Sequence, residues 1–412
     1  MFSILYKISI GTYWLLIKIA SFFNHKAKLW IEGRKNIFVN LEKQNLKNSQ
    51  NIWFHVSSLG EFEQARTLIE TIKLKKTEFK IILSFFSPSG YEIRKNYKFA
   101  DFVCYLPLDT HKNAQRFIEL INPQIAFFVK YDFWFHYLKT LKNKNIPTYL
   151  VSAIFRENQI FFKKLGKSYS KVLNYFTHFF VQNNKSADLS EKLGLKNYTI
   201  TGDTRFDRVI QIAENPVDLP IIKEFVNNQK CIVAGSTWQA DEIILAKYHE
   251  KFPDKKIIIV PHEIDNEHII KTLQLFKTKV ILYSEVKNIQ LSDYNVMIIN
   301  TIGILSSVYK YANLAYIGGG FGAGIHNILE AAVYGIPVIF GPKYKKFKEA
   351  IDLIDQNAAF SIKDYYQFEQ IIGKLCNSPK TYQLAQQQAK NYVFSNKGAS
   401  QKVYNFVFEK NT

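Results

Sequence analysis

The chain has 412 residues, enough for two or three domains, and 47% of them are hydrophobic, which excludes a mainly disordered protein. Lys and Arg outnumber Asp and Glu by 54 to 35, and the formal charge of +19 points to an anionic partner: nucleic acid, an anionic membrane surface or a phosphorylated substrate. No helix-turn-helix, zinc-finger or other nucleic-acid signature accompanies the charge, so nucleic acid is set aside as a partner. Cys104, Cys231 and Cys376 are too scattered for a disulfide framework or a metal-ligand spacing, and His262 and His268 cannot share one helix face, so no metal is expected.

Residues 3–24 are apolar and aromatic, but Lys7 and Lys18 interrupt them, and the stretch between the lysines is short for a bilayer crossing. A helix lying in the membrane interface is expected there, with a buried helix of the first domain as the alternative. His25, Lys26, Lys28, Arg34 and Lys35 would then sit beside anionic headgroups on the cytoplasmic side. From Asn51 the pattern turns to α/β: strands over 52–57, 79–85, 102–106, 124–129, 148–152 and, as the last, 179–182. A helix is expected over 60–73, and Asp109 reads as the N-cap of another that ends at Leu120. Strand and helix alternate without hairpin turns, which predicts a parallel, doubly wound sheet.

Residues 202–209 and 214–220 break the alternation with polar residues and two prolines and mark a domain boundary. A second series follows, with strands over 230–234, 256–260, 280–283, 296–299, 314–317 and 336–340 and a helix from about Ala240. The region from Tyr365 reads as helical, with a final helix near 403–408. The domains expected are an N-terminal membrane-associated helix over 1–30, an acceptor domain over 31–205 and a nucleotide-sugar donor domain over 206–412. Two Rossmann-like doubly wound domains with a nucleotide site in the second describe the GT-B architecture, in which the βα loops face a central cleft.

The stretch from Leu314 to Pro342 is the richest in chemistry. It reads as a strand, a glycine-rich turn from Gly318 to Gly324, a helix opening near His326 and Asn327, and a second buried strand. Bare backbone N–H groups in the turn and unpaired donors at the helix start make a phosphate the expected guest. Gly318, Gly320 and Ala323 match the spacing of a dinucleotide fingerprint, but the next strand ends in Gly341-Pro342-Lys343, with no acid to hold a ribose. A mononucleotide or nucleotide-sugar fits better, with Glu330 reaching a sugar hydroxyl. Ser236 and Thr237 end a strand and either offer hydroxyls to a phosphate or simply cap the next helix. Arg205 and Lys343 are candidate counter-charges.

In the first domain Glu61 follows Ser58 and Gly60 at a strand end and opens a helix, where the dipole keeps a carboxylate ionised and able to take a hydroxyl proton. Asp132 ends a later strand beside Trp134 and is suited to orient an acceptor.

Together these pieces resemble the 3-deoxy-D-manno-octulosonic acid (Kdo) transferase family of lipid A biosynthesis, from about Trp30 to Leu353. The resemblance is carried by Trp53-Phe-His-Val-Ser-Ser-Leu-Gly-Glu61, Leu106-Pro-Leu-Asp109, Gly202-Asp-Thr-Arg-Phe-Asp207, Gly235-Ser-Thr237 with Asp241-Glu242, the stretch from Gly318 to Glu330, and Gly335-Ile-Pro-Val-Ile-Phe-Gly-Pro342. It implies transfer of Kdo from CMP-Kdo to a lipid A precursor like lipid IVA, with inversion. It also implies no metal and no cofactor beyond the donor substrate, and a place on the cytoplasmic face of the bacterial inner membrane, N-terminally anchored or peripheral. On that analogy Glu61 is the general base. Ser236, Thr237, Gly319, Gly320, Gly322, Gly324, His326 and Asn327 hold the CMP phosphate, Glu330 holds the ribose, and Ser58, Gly60, Asp132, Arg205 and Lys343 are further acceptor or phosphate contacts.

The chain departs from the family pattern at Lys130 and Ile304, where acidic residues are usual, and at Phe135, where proline is usual. Trp238 replaces a frequent histidine, and the segment from Val260 to Glu263 lacks an arginine. Competing readings are a UDP-sugar transferase of the same architecture, a sugar-nucleotide epimerase, which needs neither lipid acceptor nor membrane helix, and a non-catalytic membrane-surface protein.

Overall fold

Runs of β-branched and aromatic residues form fourteen strands in two parallel sheets of seven strands each, in a computed structural model that describes residues 2–163, 166, 168–287 and 289–409. The first sheet holds β1 (Gln50–Val56), β2 (Phe79–Phe85), β3 (Phe102–Tyr105), β4 (Pro123–Val129), β5 (Thr148–Ala153), β6 (His178–Val181) and β7 (Tyr198–Ile200), in the order β3-β2-β1-β4-β5-β6-β7. The second holds β8 (Cys231–Thr237), β9 (Lys256–Pro261), β10 (Val280–Leu282), β11 (Val296–Ile298), β12 (Leu314–Ile317), β13 (Val338–Phe340) and β14 (Ala359–Ser361), in the order β10-β11-β9-β8-β12-β13-β14. Helices cover both faces of such sheets, so their central strands are apolar throughout instead of alternating; β9 is buried at every position. Strand order reverses once in each sheet, between β1 and β4 and between β8 and β12. In doubly wound sheets the carboxyl ends of strands at such a reversal are where ligands bind.

The chain divides into two units after Arg208, and the first unit also takes the chain from Gly398 onward. That division lies near the boundary read from the sequence, whereas the donor domain, expected to run to residue 412, leaves its last helix to the first unit. The helix Ala399–Phe408 buries Val403 and Tyr404 there. Asp207 holds its start, accepting from the N–H of Gly398 (2.5 Å) and of Ser400 (2.6 Å).

An N-terminal helix forms over Phe2–Ala20 and a second over His25–Glu32, capped by the Asn24 side chain on the Ala27 N–H. Tyr6 and Tyr13 dock the first helix: Tyr6 donates to Asp109 (2.6 Å), and the Tyr13 ring lies 5.9 Å from both Trp30 and Phe86. Leu5, Ile8, Leu15, Leu16 and Ile19 are exposed, and Phe22 and Phe23 beyond them are 77% and 90% exposed. The helix is therefore not a buried one, and among the described residues none is long and apolar enough to cross a membrane.

Asp109 is not the N-cap that the sequence suggests. Thr110 caps the helix His111–Ile121 through its side chain, and Asp109 instead accepts from the N–H groups of His136 and Tyr137 (both 3.1 Å), at the start of the helix Phe135–Asn143. Strands β7 and β14, three residues each, escape the sequence reading, and the segment read as a polar break at 202–209 enters the helix Thr204–Glu214.

Candidate active-site residues in the two units

In the first unit, β1 runs into Ser57 and Ser58 and then into the helix Leu59–Lys75. The Ser58 hydroxyl does not cap this helix; it donates to Glu61 Oε2 at 2.5 Å. Glu61 is thereby fixed in the first turn, half-buried, where the helix dipole favours a carboxylate. Glycine is not sterically required at Gly60, where a Cβ would meet only the Ser58 hydroxyl at 3.8 Å.

Across the reversal, β4 ends at Val129 and is followed by Lys130, whose left-handed backbone (φ 58°) turns the chain, and Asp132 meets Ser57 just beyond β1. Ser57 donates to Asp132 Oδ1 at 2.5 Å, and Oδ2 is buried without a hydrogen-bond partner. Burial first, and the Glu61 charge second, raise the Asp132 carboxyl well above the ordinary carboxylate range. Of the two carboxyl groups, Asp132 is thus the one whose proton burial favours.

His55 lies under this pair. Trp134 Nε1 donates to His55 Nε2 at 2.9 Å, so the histidine carries its proton on Nδ1 and donates it to the Ser84 hydroxyl, also at 2.9 Å. Ser84 also accepts from Trp53 Nε1 at 2.8 Å. Burial pushes His55 down to about 3, so its 3.8 Å approach to Asp132 Oδ2 is not an ion pair. The sequence pattern gives His55 no role of its own, because it stands in a buried strand; its one signal is a histidine in a largely apolar run. Arg205 is committed to its neighbour Asp203, with Nε and a terminal nitrogen each 2.8 Å from Oδ2.

In the second unit the glycines serve first to let backbones touch. A Cβ on Gly318 would stand 2.2 Å from the Ser236 carbonyl oxygen, and one on Gly320 would stand 2.6 Å from Gly341 Cα. Ser236 itself sits at a bulge (φ 53°) where the β8–β9 register shifts. Many of the turn's donors are used internally. Gly318 N–H goes to Gly235 O (2.9 Å), Gly322 and Gly324 N–H to Gly319 O (2.9 and 3.1 Å), and His326 N–H to Gly318 O (3.2 Å). Gly319 N–H goes to Asp241 Oδ2 at 2.9 Å, a carboxylate that also accepts from Trp238 N–H (2.9 Å) and the Tyr316 hydroxyl (2.7 Å). A carboxylate of the chain therefore occupies the anion position expected at Gly319.

The helix expected at His326 begins later and spans only Leu329–Ala332, too short for much of a dipole. Asn327 bridges to Glu330 Oε1 (2.9 Å) and accepts from Leu329 N–H (3.3 Å). Thr237 is buried and its hydroxyl donates to Glu242 (2.9 Å), which also meets His268 and Thr272, each at 2.9 Å. Ser236, His326, Asn327 and Glu330 remain half-exposed at this end of the sheet, with Gly322 and Lys343 exposed. Trp238, His262 and His326 stack beside them: Trp238 to His262 at 4.9 Å between ring centroids, His262 to His326 at 4.3 Å.

Residues 33–208 match the family model described as 3-Deoxy-D-manno-octulosonic-acid transferase (kdotransferase). The 3-deoxy-D-manno-octulosonic acid transferase of Aquifex aeolicus is 29% identical over 331 residues, 78% of this chain and 85% of that protein. That of Rickettsia prowazekii is 24% identical over 387 residues, 88% of this chain and 80% of that one. Among solved structures, the UDP-GlcNAc 2-epimerase of Neisseria meningitidis superposes with a TM-score of 0.64 at 14% identity, over 88% of this chain and all of that one. A glycosyltransferase of Rickettsia africae gives 0.59 at 15% identity, over 89% of this chain and all of that one. The last two share the two-Rossmann-domain GT-B fold and, at such identities, nothing finer. Along most of its length the chain is similar in sequence to Kdo transferases, and residues 33–208 match their family model.

Proposed function

We propose that the chain transfers Kdo from CMP-Kdo to a phosphorylated, acylated glucosamine disaccharide of the lipid IVA type, inverting the anomeric centre and using no metal. The observation that carries this reading is the placement of Glu61 in a first helical turn at the β1/β4 reversal, held by Ser58 and set near Asp132, whose carboxyl burial raises well above the ordinary range. Glu61 takes the proton of the acceptor hydroxyl as that oxygen attacks the anomeric carbon of Kdo; the bond from that carbon to the CMP phosphate breaks, and CMP leaves. Asp132, protonated, hydrogen-bonds the acceptor without competing for that proton.

The donor belongs to the β8/β12 reversal of the second unit, where Ser236, His326, Asn327 and Lys343 face the phosphate and Glu330 the ribose. The formal charge of +19 and the exposed apolar face of the first helix support a peripheral position on the cytoplasmic face of the bacterial inner membrane, where an anionic lipid acceptor resides. The test is Glu61→Gln: transfer falls by about 100-fold or more in a folded protein if the carboxylate is the base. Near-wild-type transfer overturns the assignment.

A further inference from the structure

Three helices of the first unit bring imidazoles and lysines to one place. His111 is the first residue of the helix His111–Ile121 and is exposed; His136 is the second residue of the helix Phe135–Asn143 and is half-buried. Their rings lie 6.0 Å apart between centroids, and the Tyr6 ring of the N-terminal helix lies 5.8 Å from that of His136. Lys7 follows Tyr6, and Lys139 stands three residues after His136, a spacing that makes neighbours on a helix surface. Both lysines are exposed.

The members of this cluster repel one another. Burial first, then His111, Lys139 and Lys7, hold His136 down to about 4. Each imidazole also stands in the first turn of its helix, where the dipole disfavours an imidazolium. Asp109 gives little relief, because it is buried and accepts from the Tyr6 hydroxyl and from the backbone N–H groups of His136 and Tyr137. An anion set among the four side chains removes the repulsion, draws protons onto the imidazoles and turns their ring nitrogens into donors. The neighbouring surface says where such an anion comes from. Leu5 and Ile8, which flank Tyr6 and Lys7 in the helix, are each 59% exposed, and a helix bedded in the bilayer interface by these side chains brings headgroup phosphates to Lys7.

We propose that Lys7, His111, His136 and Lys139 form a seat for the phosphate of a phospholipid headgroup, and that the seat tightens as its imidazoles take up protons. It presupposes the peripheral membrane position proposed above and adds the residues that meet a headgroup.

The experiment is co-sedimentation of the full chain with phosphatidylglycerol vesicles at pH about 7.5 and about 5.5 and constant ionic strength, a range in which the lipid phosphodiester keeps its charge and histidines gain theirs. Circular dichroism and thermal melts verify the folding of each variant. Wild type is expected to bind about fivefold or more tightly at the lower pH. His111→Gln combined with His136→Gln is expected to hold that change within about twofold, the part left to Asp109 and His25. Lys7→Gln and Lys139→Gln, both at exposed positions, are each expected to weaken binding by about threefold or more at both pH values, whereas Lys142→Gln, in the last turn of the same helix as Lys139, stays within about 1.5-fold. A pH response that survives the double histidine variant in full overturns the seat, as do lysine variants that bind like wild type or a loss in Lys142→Gln equal to that in Lys139→Gln. Unchanged vesicle binding with a raised acceptor KM in the transfer assay would assign the cluster to the acceptor's own phosphate, also against the seat. A wild type that stays in the supernatant overturns the seat and the membrane position together.

Discussion

Replacing Asp109 with asparagine removes a charge from the joint between the N-terminal helix and the first sheet and keeps one of its two acceptor oxygens, enough for either the Tyr137 N–H, which Oδ1 accepts, or the His136 N–H, which Oδ2 accepts. Asp109 is 2% exposed, and burial raises its carboxyl from 3.8 to about 6, even though Tyr6 and the backbone donors pull the other way. Between those values the folded protein keeps a proton that the unfolded chain has released. Stability contributed by this group is therefore complete below 3.8 and is lost as pH rises through about 6. At 1.36 kcal/mol per pH unit, the loss from pH about 4 to about 7 comes to about 2–3 kcal/mol, undiluted by solvent at so buried a site. Asp109→Asn has no such group to titrate. Urea unfolding of both proteins across that pH range should show the variant gaining on the wild type by about 2–3 kcal/mol, then a constant difference above pH about 7. Parallel pH profiles would refute the argument from burial.

Asp132→Asn, which copies a neutral acid and keeps an acceptor for Ser57, should hold its stability at neutral pH, whereas Asp132→Ala strands the Ser57 hydroxyl and loses about 1–3 kcal/mol in chemical denaturation; the opposite ranking would contradict a neutral Asp132. Gly320→Ala, whose Cβ would stand 2.6 Å from Gly341 Cα, should cost about 1–3 kcal/mol or more, while Gly322→Ala, with its nearest contact at 3.6 Å, should stay within about 0.5 kcal/mol by thermal melting. Equal melts for the two variants would mean that the backbones just beyond β12 and β13, at Gly320 and Gly341, do not touch as described. Phe22→Ser with Phe23→Ser should weaken sedimentation with anionic vesicles by about tenfold or more, and undiminished binding would leave the exposed aromatic pair without a membrane role.

Strands were legible where an apolar run was both long and cleanly bounded: β2 and β12 have the limits that the sequence suggests. The three-residue edge strands β7 and β14 were not, because their half-exposed residues leave no apolar run to read. Glu61 was legible through local chemistry, a serine and a glycine between a strand end and a helix. Asp109 was not, since nothing in the local sequence says which helix start a carboxylate will cap, and its partners lie 27 and 28 residues on. The glycine turn was legible as a place of close backbone approach. What approaches there is largely the protein itself: Gly341 against Gly320, and Asp241 on the Gly319 N–H. Distinguishing an internal anion from a bound one needs contacts across 78 residues of chain, beyond any local pattern.

The activity proposed for this chain is transfer of Kdo from CMP-Kdo to a lipid. Its most direct test is CMP release by the purified protein from freshly generated CMP-Kdo, with and without a tetraacylated, bisphosphorylated lipid A precursor, in detergent, followed by mass spectrometry of the lipid. The expected result is CMP release that depends on the lipid, with a lipid mass gain of one or more Kdo residues. A folded protein that releases no CMP, or releases it without any mass gain on the lipid, would contradict it.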